Sequence, residues 1–284
     1  MSPAGAGVRI RQIVHIYRSL GQDVAALSGV DLDIAPGELV GLLGPSGAGK
    51  STLLNLLAGL ATPSAGRIHV GAIDVVDLDG SALDRYRATV ASLMLQGAAR
   101  NLLRSRTVHD NIVFAQRAAR RLGHPVPDPL EVLSPLGLAD SGDAVVDELA
   151  PATQQLVALA AALAPAPQLL LVDEPTDRLD RRDADRVLKA LAEVGPRTGA
   201  TTIVVSHDQA VTDALPRTVT IRDGRVGGEG RRGEEFAVVT GDHAIPVPTA
   251  LQHLLPAGLL VHFVERDGRI EIVPVQEPWV QEET

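Results

Sequence analysis

Apolar positions along this chain fall into two patterns. Short continuous runs, Leu39-Val40-Gly41-Leu42-Leu43, Val90 to Leu95, Leu169-Leu170-Leu171-Val172 and Thr202-Ile203-Val204-Val205, suit buried strands. Longer stretches predict helices. Ser51 to Leu60 reads as one, and the apolar run Leu156 to Val172 divides at Pro165 and Pro167 into a helix and a strand. With those prolines it is no membrane span. Gly123-His124-Pro125-Val126-Pro127-Asp128-Pro129 predicts a loop between helices. Thr218 to Arg222, Asp223-Gly224 and Arg225-Val226 carry a hairpin signal. Gly227 to Gly233 is glycine- and charge-rich, which predicts a flexible linker.

Beyond it the pattern changes. Phe236 to Thr240 reads as a strand, Thr249 to Leu255 as a short helix after Ile245-Pro246-Val247-Pro248, and Pro256-Ala257-Gly258 as a turn. Leu260 to Glu265 and Arg269 to Val273, joined by Asp267-Gly268, form a strong hairpin signal.

The 284 residues are 45% apolar, enough for a sizeable core with room for one domain and an appendage. Cys is absent, which removes disulfides and thiolate metal sites and suggests a cytosolic compartment. The N-terminus lacks a basic-then-apolar signal segment. A net charge of −9 argues against nucleic-acid binding. Six arginines gather between Arg100 and Arg121, either as a solvated helix face or as a docking surface.

Lysine occurs twice, and one copy is Lys50 in Gly44-Pro45-Ser46-Gly47-Ala48-Gly49-Lys50-Ser51-Thr52. This fits the phosphate-binding loop G-x-x-x-x-G-K-[ST]. It sits between a predicted strand and a predicted helix, the order the chemistry needs: glycines let backbone N–H groups close on phosphate oxygens, and the helix N-terminus adds its positive end. Lys50 is then expected to reach the β- and γ-phosphates, and the Ser51 hydroxyl to ligate magnesium. The apolar strand ending in Asp173-Glu174 supplies carboxylates at the end of a strand, where parallel sheets collect ligands. Asp173 is expected to hold magnesium and Glu174 to polarise the attacking water.

Taken in order, these segments resemble the ATP-binding cassette (ABC) family over about residues 8–228. Asp173-Glu174-Pro175-Thr176 with Leu179-Asp180 is similar to its Walker B motif and D-loop, and Ser206-His207-Asp208 to its switch histidine. Gln96 is similar to the Q-loop glutamine that senses magnesium and the attacking water. Asn101-Leu102-Leu103, Thr107-Val108 and Asn111 recur after it in that family. Tyr17 resembles the aromatic that stacks on adenine. The resemblance implies an α/β P-loop ATPase core, with an antiparallel β subdomain (about 8–35 and 67–76) and a helical subdomain (about 97–153). It implies ATP and Mg2+ as cofactors. Glu174, His207, Lys50 and Gln96 would be catalytic. The loop Gly44–Thr52, Tyr17, Gln96, Asp173, Asp180 and His207 would hold nucleotide, and Ser51, Gln96 and Asp173 the metal.

One family motif is missing. The signature Leu-Ser-Gly-Gly-Gln, which contacts ATP held by the opposite subunit, is replaced by Leu149-Ala150-Pro151-Ala152-Thr153, with Gln154-Gln155 intact after it. Ala150 has no hydroxyl and Pro151 no N–H; Ala152 puts a Cβ where close backbone approach is wanted. Each lost charge-assisted contact to the transferring phosphoryl group costs about 2–4 kcal/mol. A homodimer would therefore turn over poorly. In a heterodimer, one composite site would fire against an intact partner signature.

Residues 229–233 are expected to link this cassette to a module at 234–284. Its order loosely resembles the AbrB-type swapped hairpin in Gly241, Ile245, Pro248, Leu251, Gly258 and the Asp267-Gly268 turn. Four Arg against nine Asp and Glu over 231–284 disfavour DNA there and leave dimerisation or regulation. The expected function is the ATP-hydrolysing subunit of a transporter, most like the lipoprotein-release and macrolide-export group. It would be peripheral on the inner face of the cell membrane, with a separate permease and a second ATPase subunit as partners. An ATP-dependent switch acting on a membrane or cell-wall partner is the alternative.

Overall fold

The computed structural model describes residues 5–19, 22–207, 211, 215–231, 234–239, 243–248, 251–256 and 258–275. Expectations resting on Asp208, Gly233, Thr240, Gly241, Thr249 and Ala257 lie outside the described residues.

Strands β1 (Val8–Ser19) and β2 (Gln22–Ile34) form a long hairpin. After β3 (Leu39–Leu43) and α1 (Lys50–Leu57), β4 (Ala65–Val70) and β5 (Ile73–Asp74) complete an antiparallel sheet of order β2-β1-β4-β5. Helix α2 (Gly80–Thr89) leads into β6 (Ala91–Met94). The helical segment follows: a 3-10 turn at Ala98–Arg100, α3 (Val108–Arg121), α4 (Pro129–Leu133), three further 3-10 turns, and α5 (Pro151–Leu163). Then come β7 (Leu169–Asp173), α6 (Arg181–Thr198), β8 (Thr201–Val205), β9 (Arg217–Arg222), β10 (Arg225–Arg231) and β11 (Glu234–Ala237). The main sheet has the order β11-β10-β9-β3-β8-β7-β6, parallel from β9 to β6. Among the described residues, strands β12 (Val261–Arg266) and β13 (Arg269–Pro274) pair only with each other, turning at Asp267 and Gly268 with φ of 51° and 72°.

The apolar runs are double-sided. In β7, Leu169 and Leu171 enter the core beneath α1 and the antiparallel sheet, while Leu170 and Val172 enter the core under α3, α5 and α6. Ile203 and Val205 divide from Val204 in the same way. A period of two carries Asp173 to the α1 side, which positions the site below.

The stretch expected as a linker departs from that reading. Through Arg231 it is strand β10, with Gly228 opposite Thr220 and Glu229 opposite Val219. Two ion pairs of the buried Arg217 fix it, Nε donating to Glu229 at 2.9 Å and Nη1 to Glu38 at 3.0 Å. Burial costs the three charges solvation, and mutual pairing offsets it: the Arg217 pKa is raised and that of Glu229 is lowered. Strand β11 begins at Glu234, two residues before the expected strand, and adds to this same sheet. Of the expected helix 249–255, the described part is one turn, in which Leu254 N donates to Leu251 O.

Candidate functional site

Four parallel strands end at one level. Leu42 pairs with Val205, Val205 with Asp173, and Met94 with Val172. The segments leaving those ends are Gly44–Thr52, Ser206-His207, Glu174 and Gln96, so the register alone gathers four of the predicted motifs.

The loop after β3 is shaped by glycines with distinct tasks. A Cβ at Gly44 would lie 2.1 Å from the Ile221 carbonyl oxygen, and one at Gly49 2.3 Å from that of Ala26. Gly49, at φ 95°, is also the N-cap of α1. Ala48 N donates to Pro45 O and tightens the loop around Ser46 and Gly47. Lys50 is buried, and its ammonium donates to the carbonyls of Gly44 (2.7 Å) and Pro45 (3.0 Å). Burial pulls its pKa below the ordinary lysine value, against the attraction of Glu174 and Asp173.

Ser51, in the first turn of α1, donates to Asp173 at 3.1 Å. Desolvation raises the Asp173 pKa; Glu174 adds to the rise, while the Ser51 hydrogen bond, Lys50 and Arg100 oppose it. Two hard oxygens, one a desolvated carboxylate that a cation would stabilise, fit magnesium, which keeps several waters and phosphate oxygens in its shell. Gln96 is exposed one residue past Leu95 and is the third candidate ligand.

Glu174 has φ 46°, and its amide donates to Val205 O. Its carboxylate lies 2.9 Å from His207 Nδ1 and accepts from the His207 amide at 3.4 Å. Asp180 caps α6 by accepting from Asp183 N. Tyr17, on β1, reaches the loop through a 3.2 Å hydroxyl contact with Thr52, its ring edge-on to His15. All predicted site residues therefore lie on or beside the loop and the strand ends, except Asp180, which stands at the head of α6.

Two residues gained roles that sequence reasoning missed. Asn101 clamps the Gln96 segment: its Oδ1 accepts from Leu95 N, and its Nδ2 donates to the Leu95 and Gly97 carbonyls. Arg100 lies near enough to Asp173 to stabilise its charge. Asn101 was visible as a recurring family position, whereas nothing signalled Arg100 individually.

The signature slot opens α5. Ala150 is the N-cap, with no side-chain cap, and Pro151 is the first helical residue. Ala152 is 1% exposed, so its Cβ packs inward and does not block an approaching ligand. The exposed members of the slot are Ala150 and Pro151, a methyl group and an imino acid. Gln154 holds the slot by donating to Leu149 O.

A strand-to-helix loop gripping its own lysine, set against an acidic strand end, makes this a P-loop nucleoside triphosphatase. More closely, the chain belongs to the ABC transporter family, whose family model, described as "ABC transporter", matches residues 27–177, over half the chain. It is 40% identical over 208 residues to the lipoprotein-releasing system ATP-binding protein LolD of Anaeromyxobacter dehalogenans (strain 2CP-C), covering 72% of this chain and 85% of that one. It is 36% identical over 228 residues to the methionine import ATP-binding protein MetN 2 of Rhodococcus jostii (strain RHA1), covering 77% of this chain but only 64% of that relative. The dimeric post-hydrolysis structure of the ATP-binding cassette MJ0796 bound to ADP and Pi superposes with a TM-score of 0.66 at 30% identity, over 79% of this chain and 98% of that one.

Proposed function

We propose that this chain is the ATP-binding and hydrolysing subunit of a transporter, powering a separate permease from the inner face of the membrane. The observation carrying this is the convergence of Lys50, Ser51, Asp173, Glu174 and His207 on three strand ends, supported by relatives named as ATP-binding proteins of release and import systems. Among the described residues no helix is long and apolar enough to cross a membrane, so a spanning partner is required of the reading.

In it, the loop Gly44–Thr52 cradles the phosphates and Tyr17 packs on the base. Ser51 and Asp173, with Gln96, would hold magnesium, which would supply neutralisation of phosphate charge. Glu174 orients the water and accepts its proton, and His207 meets the γ-phosphate. Asp180 stands at the dimer-facing start of α6. Because Ala150 has no hydroxyl and Pro151 no N–H to offer a partner's nucleotide, we assign a heterodimer in which one composite site turns over. An ATP-dependent switch with little turnover is the second reading, favoured by the same slot.

The C-terminal hairpin, with Phe263 66% and Ile270 69% exposed, suits self-association, since an isolated two-stranded sheet is marginally stable. The test is ATPase activity of the purified chain alone and mixed with a second cassette subunit. Turnover should need the mixture and vanish with Glu174→Gln here. Brisk hydrolysis by the isolated chain overturns the heterodimer.

A further inference from the structure

A cavity of about 650 Å3 lies at the opposite ends of the helices from the nucleotide site. Its walls come from the proline-rich loop (Pro125, Val126, Pro127), from Leu163 at the end of α5 and Ala166 beyond it, and from Val194 in the last turns of α6. Size and lining match a small-molecule site, mostly apolar with a few convergent polar groups.

Three features point to a ligand. Glu131 and Arg197, both exposed, line the cavity, and neither has an ion-pair partner among the described residues, so an anion and a cation flank one apolar hollow. Among the described residues Glu131 makes only a capping contact, accepting from Asp128 N at 3.3 Å. His124, also lining it, has its Nε2 buried without a hydrogen-bond partner among the described residues. Ala166 holds φ 56°, a left-handed conformation that alanine rarely adopts, at the cavity wall.

Lone anions or cations are poorly served, because each would meet one like charge. We propose that the cavity binds a small zwitterion with an apolar body, of the apolar amino-acid class, its ammonium towards Glu131 and its carboxylate towards Arg197. Preformed proline walls keep the ordering cost of binding low. The site shares no residue with the nucleotide loop, so its fate is separable from that of the ATPase reading.

The full-length chain is titrated calorimetrically with L-phenylalanine, 2-phenylethylamine and 3-phenylpropionate, the last two each lacking one charge. L-phenylalanine should bind measurably tighter than either, by up to about fivefold, the most that one additional exposed ion pair supplies. Glu131→Gln, which preserves the helix cap, should weaken the amino acid and the amine but spare the acid. Arg197→Met should do the converse. Val126→Trp should fill the hollow and abolish all three while MgATP affinity, measured in parallel, stays unchanged and certifies folding. Equal binding of the three probes, binding undiminished in Val126→Trp, or no heat from L-phenylalanine overturns the proposal.

Discussion

The Glu174 carboxylate and the His207 imidazole face each other at 2.9 Å across the ends of β7 and β8. The pair ties the residue placed to activate water to the residue placed beside the γ-phosphate. Hydrogen bonding to Glu174, and then its charge, raises the His207 pKa above the ordinary value, against a small desolvation effect. A raised pKa means that folding favours the protonated imidazole. The stabilisation is complete below about pH 6.5, the unfolded value, and fades as pH climbs through the elevated value. NMR titration of His207 should give a midpoint above that of a free histidine, and Glu174→Gln should return it towards ordinary. Melting temperatures of wild type and Glu174→Gln should differ most in acid and converge in alkali. A midpoint unmoved by Glu174→Gln would refute the pairing.

Asn101 should matter more than its distance from the chemistry suggests. Its amide makes three hydrogen bonds with the backbone of residues 95–97, and so fixes where Gln96 emerges. Asn101→Ala leaves half-buried backbone groups unpaired, at about 1–3 kcal/mol in urea unfolding. Hydrolysis in the partnered complex should fall while MgATP affinity changes little, because the loop that grips the phosphates is untouched. Equal loss of both would mean that the clamp supports the whole site rather than the Gln96 segment.

The three loop glycines should separate in their response to alanine. At Gly47, φ is 82° but a Cβ would meet nothing within 4 Å, so Gly47→Ala carries only left-handed strain, about 1–2 kcal/mol. Gly44→Ala and Gly49→Ala add a collision with a backbone carbonyl and should cost more in the same unfolding assay. If Gly47→Ala is the most damaging of the three, steric crowding is not what those glycines relieve.

Lys50→Arg should behave nearly like Lys50→Ala. The compact ammonium is buried between the Gly44 and Pro45 carbonyls, and a planar guanidinium is too broad for that hollow. Both variants should weaken MgATP binding by at least about tenfold, the worth of one charged hydrogen bond, in equilibrium titration. Near-normal affinity in Lys50→Arg would show that charge alone suffices.

How much of this was legible depends on range. The loop, the acidic strand end and the switch histidine could be read because each demands particular residues at fixed offsets from a short apolar run. Pairing of Glu229 with Arg217 could not, since a glycine-rich stretch shows no alternation and its partner strand lies elsewhere in the chain. Arg100 illustrates the same limit: within a cluster of six arginines, only the folded chain distinguishes the one near Asp173. Ala152 shows the reverse, where a motif comparison counted an obstacle that the helix turns inward.

That inward turn sharpens the final prediction. If Ala150 and Pro151 alone deprive the slot of phosphate contacts, then restoring both should suffice, with Ala152 left in place. Ala150→Ser returns a hydroxyl, which also caps α5, now uncapped by any side chain. Pro151→Gly returns an amide. Ala150→Ser/Pro151→Gly should raise the ATPase rate of the isolated chain by about 10²-fold or more, the cost of removing a donor of this kind. Nucleotide affinity of the monomer should not change, because the slot serves the opposite subunit. Should the double variant remain slow while Ala152→Gly added to it restores turnover, close backbone approach at residue 152 outweighs the two contacts at 150 and 151.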